Sequence, residues 1–376
     1  MSVSPGAVIT RDALSDFAGE LFSSMPRVDQ RRWAEVYLRG LLLVEGKKSV
    51  RRISEDILSL PVHQSLQQFI NQSPWGWDPV RADLVRYIEN TQRPQAWVIS
   101  RAAIPKRGDH SVGVERRFLH EAGRVVNCQI GLMVSLAVPS ANLPVNWRLL
   151  LSDRWLVQES LRESAYIPDG VRANPEWVDF IEMLDELGSW KAGPAPVVGD
   201  LRQLAGADRL VAEMAQRELD FAVEVDGSLR LPDGSSQLQD LRSSHPARNA
   251  LRCAGSALEF LGGRRWHGSA SDDAKQQVKI VSSIVRLSSG HGAARRIRLL
   301  SELSPTGAPV RFWLTNLMDH RVDEVLALSR LAVRSKASAQ ALEEQFGLRD
   351  FEGRSFRGWH HHTTMVSAAH AFDQLG

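Results

Sequence analysis

Ala96-Trp97-Val98-Ile99-Ser100-Arg101-Ala102-Ala103-Ile104-Pro105-Lys106 is where the hydrophobic pattern of the chain changes its period. Before this stretch, apolar residues recur at helical spacing; from it onward, short apolar runs alternate with Gly, Asn and Pro turns. Trp97-Val98-Ile99 reads as a short strand, and Ser111 to Phe118, Cys128 to Leu136 and Pro144 to Leu151 read as three more. Connections this short imply antiparallel pairing, because a parallel crossover needs a dozen or more residues.

Toward the N-terminus, Asp16 to Leu43 carries Leu21, Trp33, Val36, Leu38, Leu41 and Leu42 at helical spacing. Ser49 to Leu60, Ser65 to Asn71 and Pro79 to Tyr87 repeat the pattern, so residues 1–92 are expected to form a helical domain. Toward the C-terminus, a helix at Pro175–Leu187, a strand at Pro196–Val198, a helix at Asp208–Glu218 and a strand at Phe221–Val225 extend the sheet domain, whose first part spans 93–226. Residues 227–276 lack clear periodicity and read as an insertion or loop region. Strands at Val278–Leu287, Ile297–Leu303 and Val310–Leu314 and helices at Val322–Phe346 and Gly358–Asp373 make 277–376 its second part. The expected fold class is α+β with a central mixed sheet.

Composition narrows the function classes. At 43% hydrophobic and 24% charged residues the chain is globular, and a formal charge of +2 gives no electrostatic argument for a polyanionic partner. Cys128 and Cys253 form neither a disulfide framework nor a metal spacing, so a reducing cytoplasm is the expected compartment. No export signal or membrane span is read: Arg11, Asp12 and Asp16 interrupt the N-terminus, and Cys128 to Val145 is broken by Gln129, Ser135, Asn142 and two prolines.

A set of segments resembles the DDE insertion-sequence transposases, the RNase H-like DDE superfamily endonucleases. They are Tyr37-Leu38-Arg39-Gly40-Leu41-Leu42 with Lys48-Ser49-Val50, Gln67-Gln68-Phe69-Ile70 with Ser73-Pro74-Trp75, and Ile104-Pro105-Lys106-Arg107-Gly108 with His110-Ser111-Val112-Gly113-Val114. Further along stand Asn127-Cys128-Gln129, Leu143-Pro144-Val145, Phe312-Trp313-Leu314-Thr315-Asn316, Gly347-Leu348, Phe351-Glu352-Gly353-Arg354-Ser355 and Gly358-Trp359-His360-His361-His362. The resemblance implies an N-terminal helical domain followed by an RNase H-like mixed-sheet domain with an insertion. It also implies three carboxylates holding two divalent ions that bracket a phosphodiester.

At those carboxylates the chain departs from the resemblance. The first aspartate aligns with Ser100 and its acidic neighbour with Arg101; the second aligns with Asp200; the third, a helical glutamate, aligns with Lys336. Metal-dependent strand transfer is therefore expected to be absent, and neither metal nor cofactor is expected. The family's basic Trp-x-x-Gly-Thr-Lys-Gly strip appears as Trp266 to Asp273 with acids in it, and a later Arg-Trp-Arg as Ala332-Val333-Arg334.

Two readings of the new cations stand. Arg101 and Lys336, with Ser100 as a hydrogen-bond donor, would suit an anionic small molecule; alternatively they are solvated or paired with Asp200 and Glu344. The first reading makes the chain a co-opted, metal-independent protein of specialised metabolism, catalysing a displacement or elimination. That is the favoured role; the alternative function is a domesticated, sequence-specific DNA-binding regulator without nuclease activity, with Lys47, Lys48, Arg51 and Arg52 as the basic face of its helical domain on double-stranded DNA. A partner subunit or a homodimer would supply groups the chain has lost. His360, His361 and His362 are consecutive, so on a helix they point about 100° apart and do not converge on one ion.

Overall fold

Proline 26 divides the first helical stretch. Where the periodicity predicts one helix from Asp16 to Leu43, the structure has α1 (Arg11–Leu21) and α2 (Val28–Leu43), because a proline ring removes a backbone donor and clashes with the preceding turn. This computed structural model describes residues 11–120, 122–229, 262–269, 277–287, 295–306 and 308–376. Cys253 and most of the segment read as an insertion lie outside the described residues. Among the described residues no helix is long and apolar enough to cross a membrane.

Three further helices, α3 (Val50–Leu58), α4 (His63–Asn71) and α5 (Trp77–Thr91), precede the sheet. Its strands are β1 (Ala96–Pro105), β2 (Glu115–Leu119), β3 (Arg124–Ala137), β4 (Asn142–Leu149), β5 (Val197–Asp200) and β6 (Phe221–Val225), then β7 (Gly262–Ser269), β8 (Gln277–Leu287), β9 (Arg295–Leu303) and β10 (Pro309–Thr315). Short helices α6 (Asp153–Val157) and α7 (Glu159–Ser164), unannounced by any long periodicity, follow β4, and α8 (Glu176–Ser189) and α9 (Ala207–Gln216) flank β5. The chain closes with α10 (Val322–Glu344) and α11 (Phe356–Leu375). β7 falls in the segment read as aperiodic; its glycines and the adjacent Arg264 and Arg265 give no apolar signal.

The strand order is β2-β3-β1-β5-β6-β10-β9-β8-β7, with β4 also paired to β3. β1, β3 and β4 are antiparallel, whereas β5 and β6 run parallel to β1. An antiparallel trio continued by two parallel strands through helical crossovers is the RNase H-like arrangement. β10, β9, β8 and β7 then extend it by antiparallel pairing on β6.

Alternation along the strands sorts side chains between two faces. Trp97 and Ile99 pack in the large core with Phe180 and Leu184 of α8 and Leu210 and Met214 of α9. Ala96, Val98, Val198, Ala222, Leu300 and Trp313 face the other way, onto Val322, Val325 and Leu326 of α10. This parity decides where each candidate site residue points.

α11 joins the two ends of the chain. It is buried from Phe356 to Phe372 except for Arg357, and it packs on α2, α4, α5 and β4. Several of its polar groups are met from those elements: Tyr37 Oη lies 2.9 Å from His362 Nδ1, and the carbonyls of Ile70 and Trp75 each lie 2.9 Å from a ring nitrogen of His361. Trp75 stacks on His361 and Trp77 on His360. Burial pushes the His361 and His362 pKa values down to about 3, so these rings are neutral at physiological pH.

Arg81 of α5 is 1% exposed and has only neutral partners. Its Nε donates to Thr364 Oγ1 at 2.9 Å, its Nη1 to Asn146 Oδ1 and the Trp147 carbonyl, both at 2.9 Å, and its Nη2 lies 3.2 Å from His360 Nδ1. Burial lowers its pKa to about 10, which still leaves it charged at neutral pH. Truncating Arg81 to alanine opens a cavity and orphans a buried carbonyl and amide, and is expected to cost about 3–5 kcal/mol in urea unfolding; a loss below about 1 kcal/mol would refute this bridging role.

Candidate functional site

Parallel register sets Ile99 opposite Gly199 and Asp200 opposite Glu224. Ser100, Asp200 and Glu224 thus lie side by side on three adjacent strands, on the face covered by α10. Gly199 permits the closeness of β1 and β5: a Cβ there would stand 2.6 Å from Ile99 Cγ1. The Ser100 hydroxyl oxygen is buried and has no hydrogen-bond partner among the described residues.

Asp200 sits at the exposed end of β5 and is engaged by Arg202. Arg202 Nε donates to Oδ1 at 2.8 Å, Nη2 to Oδ2 at 2.5 Å, and the Arg202 backbone N–H to Oδ1 at 3.1 Å. The remaining Nη1 lies 3.5 Å from Glu224 Oε1. Glu224 in turn accepts two 2.9 Å bonds from Arg311 of β10, and Arg311 Nη1 lies 3.6 Å from Glu302 of β9. Partial burial pushes the Asp200 carboxyl up, but the bonds and charge of Arg202 outweigh it and hold the pKa below the ordinary value.

Arg101 does not join this group. One residue along from Ser100, it points to the opposite face, where its guanidinium meets Glu176 at the start of α8 at 3.2 Å. Lys336 lies exposed on α10, on the Asp200 side of the sheet; its neighbour Arg334 donates to the Val138 and Pro139 carbonyls of the β3–β4 turn. The four residues singled out from sequence are therefore divided by the sheet: Ser100, Asp200 and Lys336 on one side, Arg101 on the other. Asp200 pairs with Arg202, and Arg101 pairs with Glu176. Sequence reading missed Arg202, Glu224 and Arg311, although the Glu224 position, two residues after a buried Ala222, carried the signal.

The basic residues of the helical region have partners of their own. Lys47 pairs with Glu352, Arg51 with Glu55 at 2.9 Å and Arg52 with Asp56 at 3.9 Å. Lys48 is buried rather than surface-exposed: its Nζ donates to the Val44 carbonyl and its stem packs against Gly347, where a Cβ would stand 2.6 Å from Lys48 Cγ. Desolvation lowers its pKa, although nearby Asp350 opposes this. The segment Trp266 to Asp273 passes from strand β7 to residues outside the described set.

Two dications bracketing a phosphate need several convergent oxygen anions. Here the Asp200 carboxylate is bound by a guanidinium, its neighbour on β1 offers a neutral hydroxyl, and among the described residues no group of three His, Cys, Asp or Glu side chains is placed to hold a metal ion. This donor set does not fit a pair of divalent ions. The family model described as DDE superfamily endonuclease matches residues 20–252, more than half of the chain. Ser100, Arg101 and Asp200 fall inside that span and Lys336 beyond it. No curated protein matches the chain at a significant level.

Because the Asp200 pKa is depressed in the folded protein, its contribution to stability is present above the unfolded carboxylate pKa and lost as pH falls through the folded value. The stability difference between wild type and Arg202→Met should therefore shrink as the pH drops below about 4, measured by urea unfolding across pH. A difference constant with pH would refute the pairing.

Proposed function

This chain belongs to the DDE superfamily endonuclease family, and from that premise we propose that it is a cytoplasmic, transposase-derived protein whose carboxylate centre no longer supports two-metal phosphoryl transfer. The observation that carries this reading is the Arg202 fork on Asp200, beside a hydroxyl at the position where the resemblance expects the first carboxylate. A guanidinium does not activate an attacking oxygen as a Lewis acid does, and serine is a poor ligand for a hard dication. With Mg²⁺ or Mn²⁺ the purified protein should leave supercoiled and linear DNA uncut. Metal-dependent nicking that Asp200→Asn abolishes would overturn the reading.

For the co-opted role, chemistry on an anionic small molecule needs Arg101 and Lys336 to converge. Arg101 instead serves Glu176 across the sheet, and the guanidiniums beside Asp200 are already held by carboxylates. That role accordingly has the weaker support.

Binding of double-stranded DNA without cleavage is favoured by a different surface from the one expected on the helical domain. Beyond the last β1–β3 pair, Pro105 with Cys128, the chain continues as a two-stranded ribbon in which β2 pairs with residues 124–128 of β3. Phe118 and Val125 are paired across it and are 55% and 52% exposed. Arg116 and Arg124 on the ribbon and Arg107 in the connection after β1 are exposed and have no hydrogen bond or ion pair from their side chains among the described residues. Unpaired arginines beside an exposed aromatic on a β-ribbon suit a phosphate backbone and a groove. In gel-shift titrations across salt, replacing all three arginines with alanine should weaken duplex binding and reduce the log–log salt slope by about 3. Unchanged affinity and slope would remove the ribbon from the interface.

A further inference from the structure

The carboxylates at the strand ends form part of a ladder whose sign alternates across four strands. Asp200 on β5, Arg202, Glu224 on β6, Arg311 on β10 and Glu302 on β9 follow one another with contacts of 2.5, 3.5, 2.9 and 3.6 Å. Each guanidinium stands between two carboxylates. Asp200 and Glu224 are direct register partners on the same face, and adjacent strands lie only about 4.8 Å apart. Two anions so placed repel unless cations stand between or beside them.

We propose that Arg202 and Arg311 take the electrostatic place of divalent cations in this centre, so that a charge once supplied from solution is now part of the chain. The inference rests on the proposed loss of two-metal chemistry and names the residues that accompany it. The geometry supports it in three ways. The Arg202 fork takes both oxygens of Asp200, so neither oxygen faces solution unbonded. The Arg202 backbone N–H donates to the same carboxylate, fixing fork and carboxylate in one turn that follows β5. Arg311 takes both oxygens of Glu224 and lies over the Trp313 ring at 4.7 Å, which orients its plane.

An ordinary surface ion pair makes a different prediction. The side chains of Arg202, Arg311 and Asp200 are about half exposed, at 49%, 45% and 45%, and a bare pair there contributes little that solvent does not replace. Removing Arg202 from such a pair would leave the protein indifferent to metal. If Arg202 stands in for a cation, its removal leaves neighbouring carboxylates open to solution, where a hard dication fits.

The test is thermal unfolding of the full chain in EDTA, Mg²⁺ and Mn²⁺. Wild type should melt at one temperature in all three. Arg202→Met, which keeps the aliphatic stem, should melt lower in EDTA and gain about 2–4 °C in millimolar Mn²⁺, and Asp200→Asn combined with Arg202→Met should lose that gain. A folded Arg202→Met protein that melts identically with and without Mn²⁺ overturns the inference. If that variant does not fold, Arg311→Met exposes Glu224 and carries the same comparison. A Mn²⁺ gain in wild type that Asp200→Asn abolishes would overturn the proposed loss of the metal centre itself, an outcome read from a separate arm.

Discussion

The burial of polar groups on α11 is the constraint around which the rest of the molecule is arranged. An imidazole or hydroxyl removed from water must find a partner within the protein. His360, His361 and His362 point in three directions, and each direction requires a different element: Arg81 and Trp77 of α5 for the first, the α4 end and Trp75 for the second, Tyr37 of α2 and the Gly347 turn for the third. These contacts fix the entry of the helical region onto the sheet. They also explain why the histidine run is not a metal cluster.

The sheet then does the sorting. A strand gives neighbouring residues opposite directions, so Ser100 and Arg101, adjacent in the chain, serve different faces. One of them reaches the strand ends where Asp200 and Glu224 meet, and the other steadies the start of α8. The resemblance aligns both with one catalytic step, and the alternation in β1 separates them.

Most of the fold was legible because its signal is periodic. The strands β3 to β6 and helices α8 to α11 fall close to where alternation and helical spacing put them. What escaped had no periodic signature: the proline break between α1 and α2, the two one-turn helices after β4, and β7, whose residues are polar and glycine-rich. The site was legible in part. Asp200 was singled out and its partner Arg202, only two residues away, was not, because that contact depends on a turn that folds Arg202 back onto the carboxylate. Arg311 comes from a strand more than a hundred residues further on, and no local pattern announces such a partner. Lys48 was misread because a lysine's charge marks it for the surface while its long stem suits a buried slot.

The bond between Tyr37 and His362 spans 325 residues of sequence. α2 therefore reaches this partner only after the residues of α11 have been made. Until then the apolar surface that α11 covers stays open, and contacts of such high sequence separation form late in folding. A chain cut short before α11 would leave the faces of α2, α4 and α5 that pack on it without their partner.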